Sequence, residues 1–416
     1  MACRLGVLYL PRQVLQRAEG GGHLVPGNTL LPEHEGMVIT RALREWACLM
    51  PLDLGFETTQ RLLGWITQEP EVISTSQVRS LVREHGGEVR TAEAQEVAEL
   101  LADPQRLARA RARLVSSQTP RRKAAWPREC DAAVEAALSA EQPTPPAGVT
   151  RADWERVGQA RREQQEASAV VLRRLGPEVG LGQIVVGADE VLVRQPQKRT
   201  FCELRTARVQ TSEGVRHLSG RGEGFLRLLW VVLLLCGART GMVTLVADGA
   251  RWIREFAAQQ LSRLSRWEFV LDWFHVAKRT RELTSMIGAD RGSRRALCKE
   301  VLRRLWQGAV GEALAHLEAY REQARNEARL DELIEYLRSR EASLVNYRRR
   351  RRGREYIGSG GVEKANDQLV ARRMKRKGMH WSAEGADTLA ALKTLWLNEG
   401  WDLYWSQRTV LPLAAP

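Results

Sequence analysis

The run Ile184-Val-Val-Gly-Ala-Asp-Glu-Val-Leu-Val-Arg194 decides the fold. Its opening is apolar and β-branched, as a buried strand requires, and that opening closes on Asp189. The same grammar returns at Thr244-Leu-Val-Ala-Asp248-Gly249. Both aspartates end short apolar runs, so both are expected at strand tips. A third acid, Glu363 in Gly358-Ser-Gly-Gly-Val-Glu-Lys364, follows a glycine loop and opens a helical segment. Three carboxylates that converge can hold two Mg²⁺ or Mn²⁺ ions, because hard oxygen ligands suit these cations and phosphate oxygens complete their shell.

Outward from Asp189, Ile184 to Arg194, Thr200 to Gln210 and Val215 to Leu218 read as three successive strands. Phe225 to Cys236 is apolar nearly all round, as expected of a helix buried on a sheet. Met242 to Ala247 reads as a fourth strand, Arg251 to Leu264 as an amphipathic helix and Phe269 to Leu271 as a short fifth strand. The order β-β-β-α-β-α-β is the ribonuclease-H-like arrangement, in which an early antiparallel hairpin joins parallel strands. The expected fold class is therefore α/β, a ribonuclease-H-like mixed sheet with an all-helical insertion, preceded by a helical, helix-turn-helix-like DNA-binding region. Five segments follow: 1–90, the DNA-binding region; 91–180, a helical and Pro-rich basic linker; 181–273, the first part of the catalytic core; 274–345, the helical insertion; and 346–416, the remainder of the core with a glutamate-bearing helix and a basic clamp.

Asp189, Asp248 and Glu363 are the expected catalytic and metal-ligating residues, with Asp189 bridging. Glu190, next to Asp189, points to the opposite strand face and is set aside. Asp272 and His275, three residues apart after the fifth strand, are expected to orient DNA or stiffen the site, and Ser359 to donate a hydrogen bond there. Each acid also has a duller reading. Asp248 before Gly249 suits a turn, and Glu363 suits the first turn of any helix. Trp273, Trp381, Trp396, Trp401 and Trp405 suit base stacking, although core anchoring is the commoner use of tryptophan.

The chain carries 64 Lys and Arg against 50 Asp and Glu, a net charge of +14. That excess points to a polyanionic partner, since each neutralised phosphate releases counterions. Ser74-Thr-Ser-Gln-Val-Arg starts a capped helix bearing Gln77, Arg79 and Arg83, which suits a DNA reader and equally suits plain helix packing. Arg121, Arg122 and Lys123 in the linker are available for phosphates. Arg348, Arg349 and Arg350, and then Arg372, Arg373, Lys375, Arg376 and Lys377, bracket Glu363 and suggest a clamp on the DNA backbone. The longest apolar run, Leu228 to Ala238, is short of the roughly 20 residues that span a bilayer. No secretory signal is visible, and the six cysteines make no CxxC pair, which argues against a zinc site or a disulfide framework. A bacterial cytoplasmic, nucleoid-associated protein is the expectation.

Together these residues resemble the DDE transposases of bacterial insertion sequences, in the Mutator-like related group with a helical insertion before the glutamate. The resemblance covers Ile184 to about Trp405. It is carried by Gly-Ala-Asp189, Ala-Asp248-Gly-Ala-Arg-Trp-Ile253, Leu-Asp272-Trp-Phe-His275 and Gly358-Ser-Gly-Gly-Val-Glu363-Lys-Ala-Asn366 with the basic stretch after it. It implies binding to terminal inverted repeats, Mg²⁺-dependent hydrolysis at the element ends, and attack of the freed 3′-hydroxyl on target DNA. Synapsis of two ends implies a homodimer or higher oligomer on double-stranded DNA, with no membrane partner. Relatives commonly carry a cluster of cysteine ligands near the N-terminus, a pattern that Cys3 and Cys48 do not make here. Two further readings stay open: a DNA-binding regulator with vestigial acids, and a nuclease or resolvase of the same fold.

Overall fold

The computed structural model describes residues 39–116, 144–145, 148–155, 183–197, 199–212 and 214–406, with six two-residue strands before residue 39. The Arg121, Arg122 and Lys123 group and most of the expected linker lie outside the described residues.

Five strands, β1 (Gln183–Arg194), β2 (Phe201–Thr211), β3 (Gly214–Gly220), β4 (Met242–Ala247) and β5 (Trp267–Leu271), form one mixed sheet in the order β5-β4-β1-β2-β3. β1, β2 and β3 are an antiparallel meander, while β4 runs parallel to both β1 and β5. Side-chain alternation along β1 explains how the layers are filled. Ile184, Val186 and Ala188 face one side, where they join α5 (Gly222–Leu235) and α6 (Arg251–Gln259) in a single core. The intervening side chains face the other side. There Val185 joins one core, Val191 and Val193 join another, and Gly187 and Asp189 lie between the two.

That second face carries two helical bodies. The first holds α7 (Trp273–Ile287), α8 (Arg291–Trp306), α9 (Val310–Ala319), α10 (Glu327–Arg338) and α11 (Tyr347–Arg352), and it packs on Val185, Val246, Val270 and Leu271. The second joins α1 (Arg41–Leu49), α2 (Phe56–Thr67) and α3 (Thr75–Ala102) to the C-terminal helices α13 (Ala383–Leu397) and α14 (Trp401–Ser406). Between them lies α12 (Gly360–Asn366), prolonged by a π-helical turn over Asp367–Ala371. It rests directly on β1, because a side chain added at Gly187 would meet Val362 at 3.0 Å. Among the described residues no helix is long and apolar enough to cross a membrane.

The five expected strands and the two helices between them are present in the expected order. Asp189 departs from its expected tip position. β1 continues to Arg194, and its parallel pairing with β4 stops at Gly187, so Asp189 sits in mid-strand just past the parallel part. The second helix ends at Gln259, short of Leu264, and a 3-10 turn over Leu261–Arg263 follows. The expected division at residue 90 falls inside α3. This helix starts from a capping box at Ser74 and Gln77 and runs through Gly86 and Gly87, then α4 (Pro104–Ser116) follows at once. Gly86 is required there: a Cβ would stand 2.3 Å from the Thr388 carbonyl oxygen of α13. Two glycines weaken an isolated helix, and the close approach of α13 offsets that cost.

Candidate functional site

Register places the first two acids together. Val246 of β4 pairs with Gly187 of β1, so Asp248, two residues on, falls beside Asp189 on the same face. β5 pairs Leu271 with Ala247, and the Asp272 amide donates to the Ala247 carbonyl at 2.8 Å, which sets Asp272 beside Asp248. Glu190 points to the opposite face as expected, and its carboxylate accepts from the Trp252 indole of α6 at 2.9 Å.

The aspartates differ in how they are held. Asp272 is 1% exposed. One oxygen accepts from the Phe274 and His275 amides at 2.6 and 3.0 Å, capping α7. The other accepts from the Ser359 amide at 2.5 Å and from the Ser359 hydroxyl. Burial pushes this carboxyl up, but the facing His275 side chain and the Ser359 hydroxyl, with the two backbone donors, outweigh it and bring it down to about 2. Ser359 thus donates to Asp272, and it ties the start of α12 to the end of β5. His275 Nδ1 lies 3.6 Å from Asp272, longer than a hydrogen bond, and that carboxylate raises the imidazole pKa.

Asp189 has fewer donors. It accepts from the Glu190 amide at 2.8 Å and from the Asn366 side chain at 2.5 Å. Asn366 is itself held by the Thr206 hydroxyl of β2. Burial first, and the Asp248 charge further down, push the Asp189 carboxyl up to about 6 against the pull of the Glu190 amide and His275. Asp248 accepts from the Ala250 amide at 2.9 Å, closing the turn before α6, with Gly249 at φ +80° supplying the left-handed step. The turn reading and the site reading of Asp248 are therefore compatible.

Asp248 opens onto a cleft of about 290 Å³ lined by His275, Lys278, Arg279, Tyr336 and Arg340. Arg340 stacks 4.4 Å above the Tyr336 ring, and its Nε has no hydrogen-bond partner. Burial lowers its pKa, yet it stays charged. Sequence reasoning missed these cations. Lys278 and Arg279 were findable, one helical turn after His275 on α7; Arg340 arrives from the far end of the helical body and leaves no local signal.

Glu363 is exposed on α12. Ser359, Glu363 and Asn366 share one stripe at i, i+4 and i+7, and the outer two bond Asp272 and Asp189. Glu363 stands between them, but among the described residues no three His, Cys, Asp or Glu side chains are close enough to hold a metal ion. The structure thus brings Asp189, Asp248, Asp272 and His275 to one end of the sheet face, and neither they nor Glu363 make a ligating cluster among the described residues.

The basic residues divide. Arg348, Arg349, Arg372, Lys375, Arg376 and Lys377 are exposed, as are Arg79 and Arg83. Arg350 is buried and makes a bidentate pair with Glu268 of the edge strand β5, at 2.7 and 2.9 Å, which occupies the fork expected for DNA. Arg373 is 3% exposed, and its Nε donates to the Pro51 carbonyl at 2.8 Å. Gln77 is buried, and its side chain accepts from the Ser74 amide at 2.8 Å to complete the helix cap. Arg350 and Gln77 are therefore held inside the fold, while Arg373, though buried, lines a cavity. Among the tryptophans, Trp401 and Trp405 are 2% exposed core residues, Trp273 packs with Trp306 and Tyr347, and Trp396 is half exposed.

No curated protein matches this chain. Residues 238–404, a span that includes Asp248, Asp272, His275 and Glu363 but not the meander with Asp189, are similar to an uncharacterised protein family, UPF0236.

Proposed function

We propose that this protein is a DDE transposase with a ribonuclease-H-like core, which cuts DNA at the ends of an insertion sequence and joins the freed 3′-hydroxyl to target DNA. The observation that carries the reading is the Asp189–Asp248 pair: two carboxylates on neighbouring strands of one sheet face, one with its pKa pushed up to about 6 by burial and by the other's charge. The sheet order β5-β4-β1-β2-β3, with three antiparallel and two parallel strands, supports the ribonuclease-H-like part.

Two carboxylates side by side, one with its pKa raised by burial and by the other's charge, fit a hard divalent cation, and phosphate oxygens of DNA would complete its shell. Asp189 and Asp248 would hold it, with Glu363 closing the site from the exposed stripe of α12. When bound, such ions polarise the scissile phosphate and sharpen the attacking oxygen. The chain's own residues do the rest. Arg340, Lys278 and Arg279 line the cleft beside Asp248, where cations stabilise the charge that builds on non-bridging oxygens. His275 stands at the cleft wall with its imidazole pKa raised by Asp272, which favours its charged form. The exposed arginines and lysines on either side of α12 hold the DNA backbone without reading its sequence.

The test uses labelled duplexes carrying the DNA that flanks the gene, with and without Mg²⁺. Wild-type protein should release 3′ ends and join them to a second duplex, while Asp189→Asn, Asp248→Asn and Glu363→Gln should bind the duplex but not cut it. Retained cutting in one of these variants removes that residue from the site. Binding without cutting by the wild type, with Mg²⁺ and Mn²⁺ both tried, moves the reading to a DNA-binding regulator, which the exposed position of Glu363 favours.

A further inference from the structure

A cavity of about 650 Å³ opens on the same sheet face, at the far end of β1 from the acid cleft. Its walls come from the start of α2, the exposed side of α3, the turn after the π-helical segment, and the start of α13. Phe56 and Trp381 stand with ring centroids 5.7 Å apart. Arg373 lies 5.1 Å from the Phe56 centroid and 4.7 Å from that of Trp381, while Arg79 covers Phe56 at 5.5 Å. Arg83 and His380 complete the rim.

Two groups in this wall are left over by the fold. Arg373 is buried, yet its hydrogen bonds go to the Pro51 carbonyl and the Met379 sulfur, not to a carboxylate. A buried guanidinium without an anion is costly, and burial, with Arg376 nearby, pushes its pKa down to about 10. Trp381 is 8% exposed, and its indole N–H has no hydrogen-bond partner. Both want an acceptor, Arg373 an anionic one. The aromatic rings and guanidinium planes add flat surfaces on which a base can stack. Phosphate with an attached planar ring describes a nucleotide.

The Trp381 amide donates to the Arg194 carbonyl at the end of β1. Asp189 lies five residues back along that strand, on the order of 17 Å at about 3.3 Å per residue. We propose that this pocket holds one unpaired nucleotide of a DNA strand, its base against Phe56 and Trp381 and its phosphate on Arg373, Arg79 and Arg83. This deepens the proposed function and rests on it for the source of the unpaired strand, near the cut. Base–aromatic stacking tolerates any sequence, so the pocket would select for an unpaired strand and not for a particular base.

The test measures binding of the full chain, carrying Asp248→Asn so that nothing is cut, to a fluorescent single-stranded oligonucleotide and to a duplex of equal length. Phe56→Leu removes a stacking face, and Trp381→Phe removes the unpaired donor while keeping a smaller aromatic ring; thermal melts check that both stay folded. Each should weaken single-strand affinity by about fivefold to tenfold and duplex affinity by less than about twofold. Equal losses on both substrates, or no loss on either, would overturn the assignment. Free dAMP should compete only in large excess, because it lacks neighbouring phosphates; competition at equal concentration overturns the assignment to a strand. Failure of metal-dependent cutting with this single-strand preference intact supports the pocket and removes the transposase reading. The opposite pattern removes the pocket alone.

Discussion

Asp272 and Asp189 are the same residue type on the same face of the same sheet, separated by one strand, and their carboxyls are shifted in opposite directions. Asp272 collects donors from the start of α7 and from Ser359, so its charge is fully compensated and its pKa falls to about 2. Asp189 collects two donors, faces Asp248 and has its carboxyl pushed up to about 6. A carboxylate with satisfied lone pairs holds structure together. One left short of donors beside a second carboxylate is costly to ionise. The lesson is that convergence of acids does not identify a site by itself; the donor count of each acid sorts structural from chemical roles.

The largest effect that would break this contrast is on turnover. On the proposed function, Asp248→Asn should lower strand cleavage by on the order of 10³-fold, because it removes one of the two carboxylate charges proposed to hold the cation while its turn-closing oxygen is kept. A matching melting temperature would show that the loss is chemical. Cleavage within about tenfold of wild type would place Asp248 with Asp272 as a structural acid.

Next is stability. Asp272→Ala leaves three backbone N–H donors and the Ser359 hydroxyl without their acceptor in a buried position, a loss of about 3 kcal/mol or more in denaturant unfolding. Asp272→Asn keeps the shape and loses the charge. Because the folded carboxyl titrates near 2 and the unfolded one near 3.9, the stabilisation is fully present above pH 4 and fades as pH falls through 2. The gap between wild type and the Asn variant should therefore be about 2–3 kcal/mol at pH 7 and shrink below pH 4. A gap that does not change with pH would mean that the second acceptor oxygen, which the Asn amide replaces with a donor, and not the charge, is what Asp272 supplies.

Asp189→Asn should act in the other direction. Its folded carboxyl binds a proton more tightly than the unfolded one, so ionisation costs stability as pH rises from about 4 through 6, and the full cost is present above that. In metal-free buffer at pH 8 the Asn variant should be more stable than wild type by about 1–3 kcal/mol, with the difference gone at pH 4. Added Mg²⁺ should then raise the wild-type melting temperature and leave the variant unmoved. A variant less stable than wild type at pH 8 would show that Asp189 is compensated after all.

The same contrast explains what the sequence made legible. β1 and β4 were readable because β-branched runs imply strands, and two parallel neighbours bring the residues after those runs side by side. Glu190 was readable from alternation alone. The end of β1 at Arg194 was readable as well, but not the end of its parallel part at Gly187, since Val191 and Val193 serve a different core from Val185 and nothing local marks the change. Which members of the basic runs are buried was not readable for a related reason. Arg350 and Arg373 sit among exposed arginines and share their composition, but Glu268 and Pro51, far away in the chain, decide that they are buried. The cavity walled by Phe56 and Trp381 was invisible for the same cause, because its two faces are more than 300 residues apart in the chain.

The smallest effect concerns the arginines that remain outside. Arg348 and Arg349 are exposed beside the buried Arg350 on α11. If they touch phosphates, Arg348→Ala with Arg349→Ala should weaken DNA binding uniformly across sequences and reduce the slope of log K against log salt by about 2, near 0.9 for each phosphate no longer neutralised. Melting temperature should hardly move, because neither side chain is buried. An unchanged salt slope would mean that the run is a solvated face of α11, and that Arg350, whose guanidinium is spent on Glu268, accounts for why this stretch is basic at all.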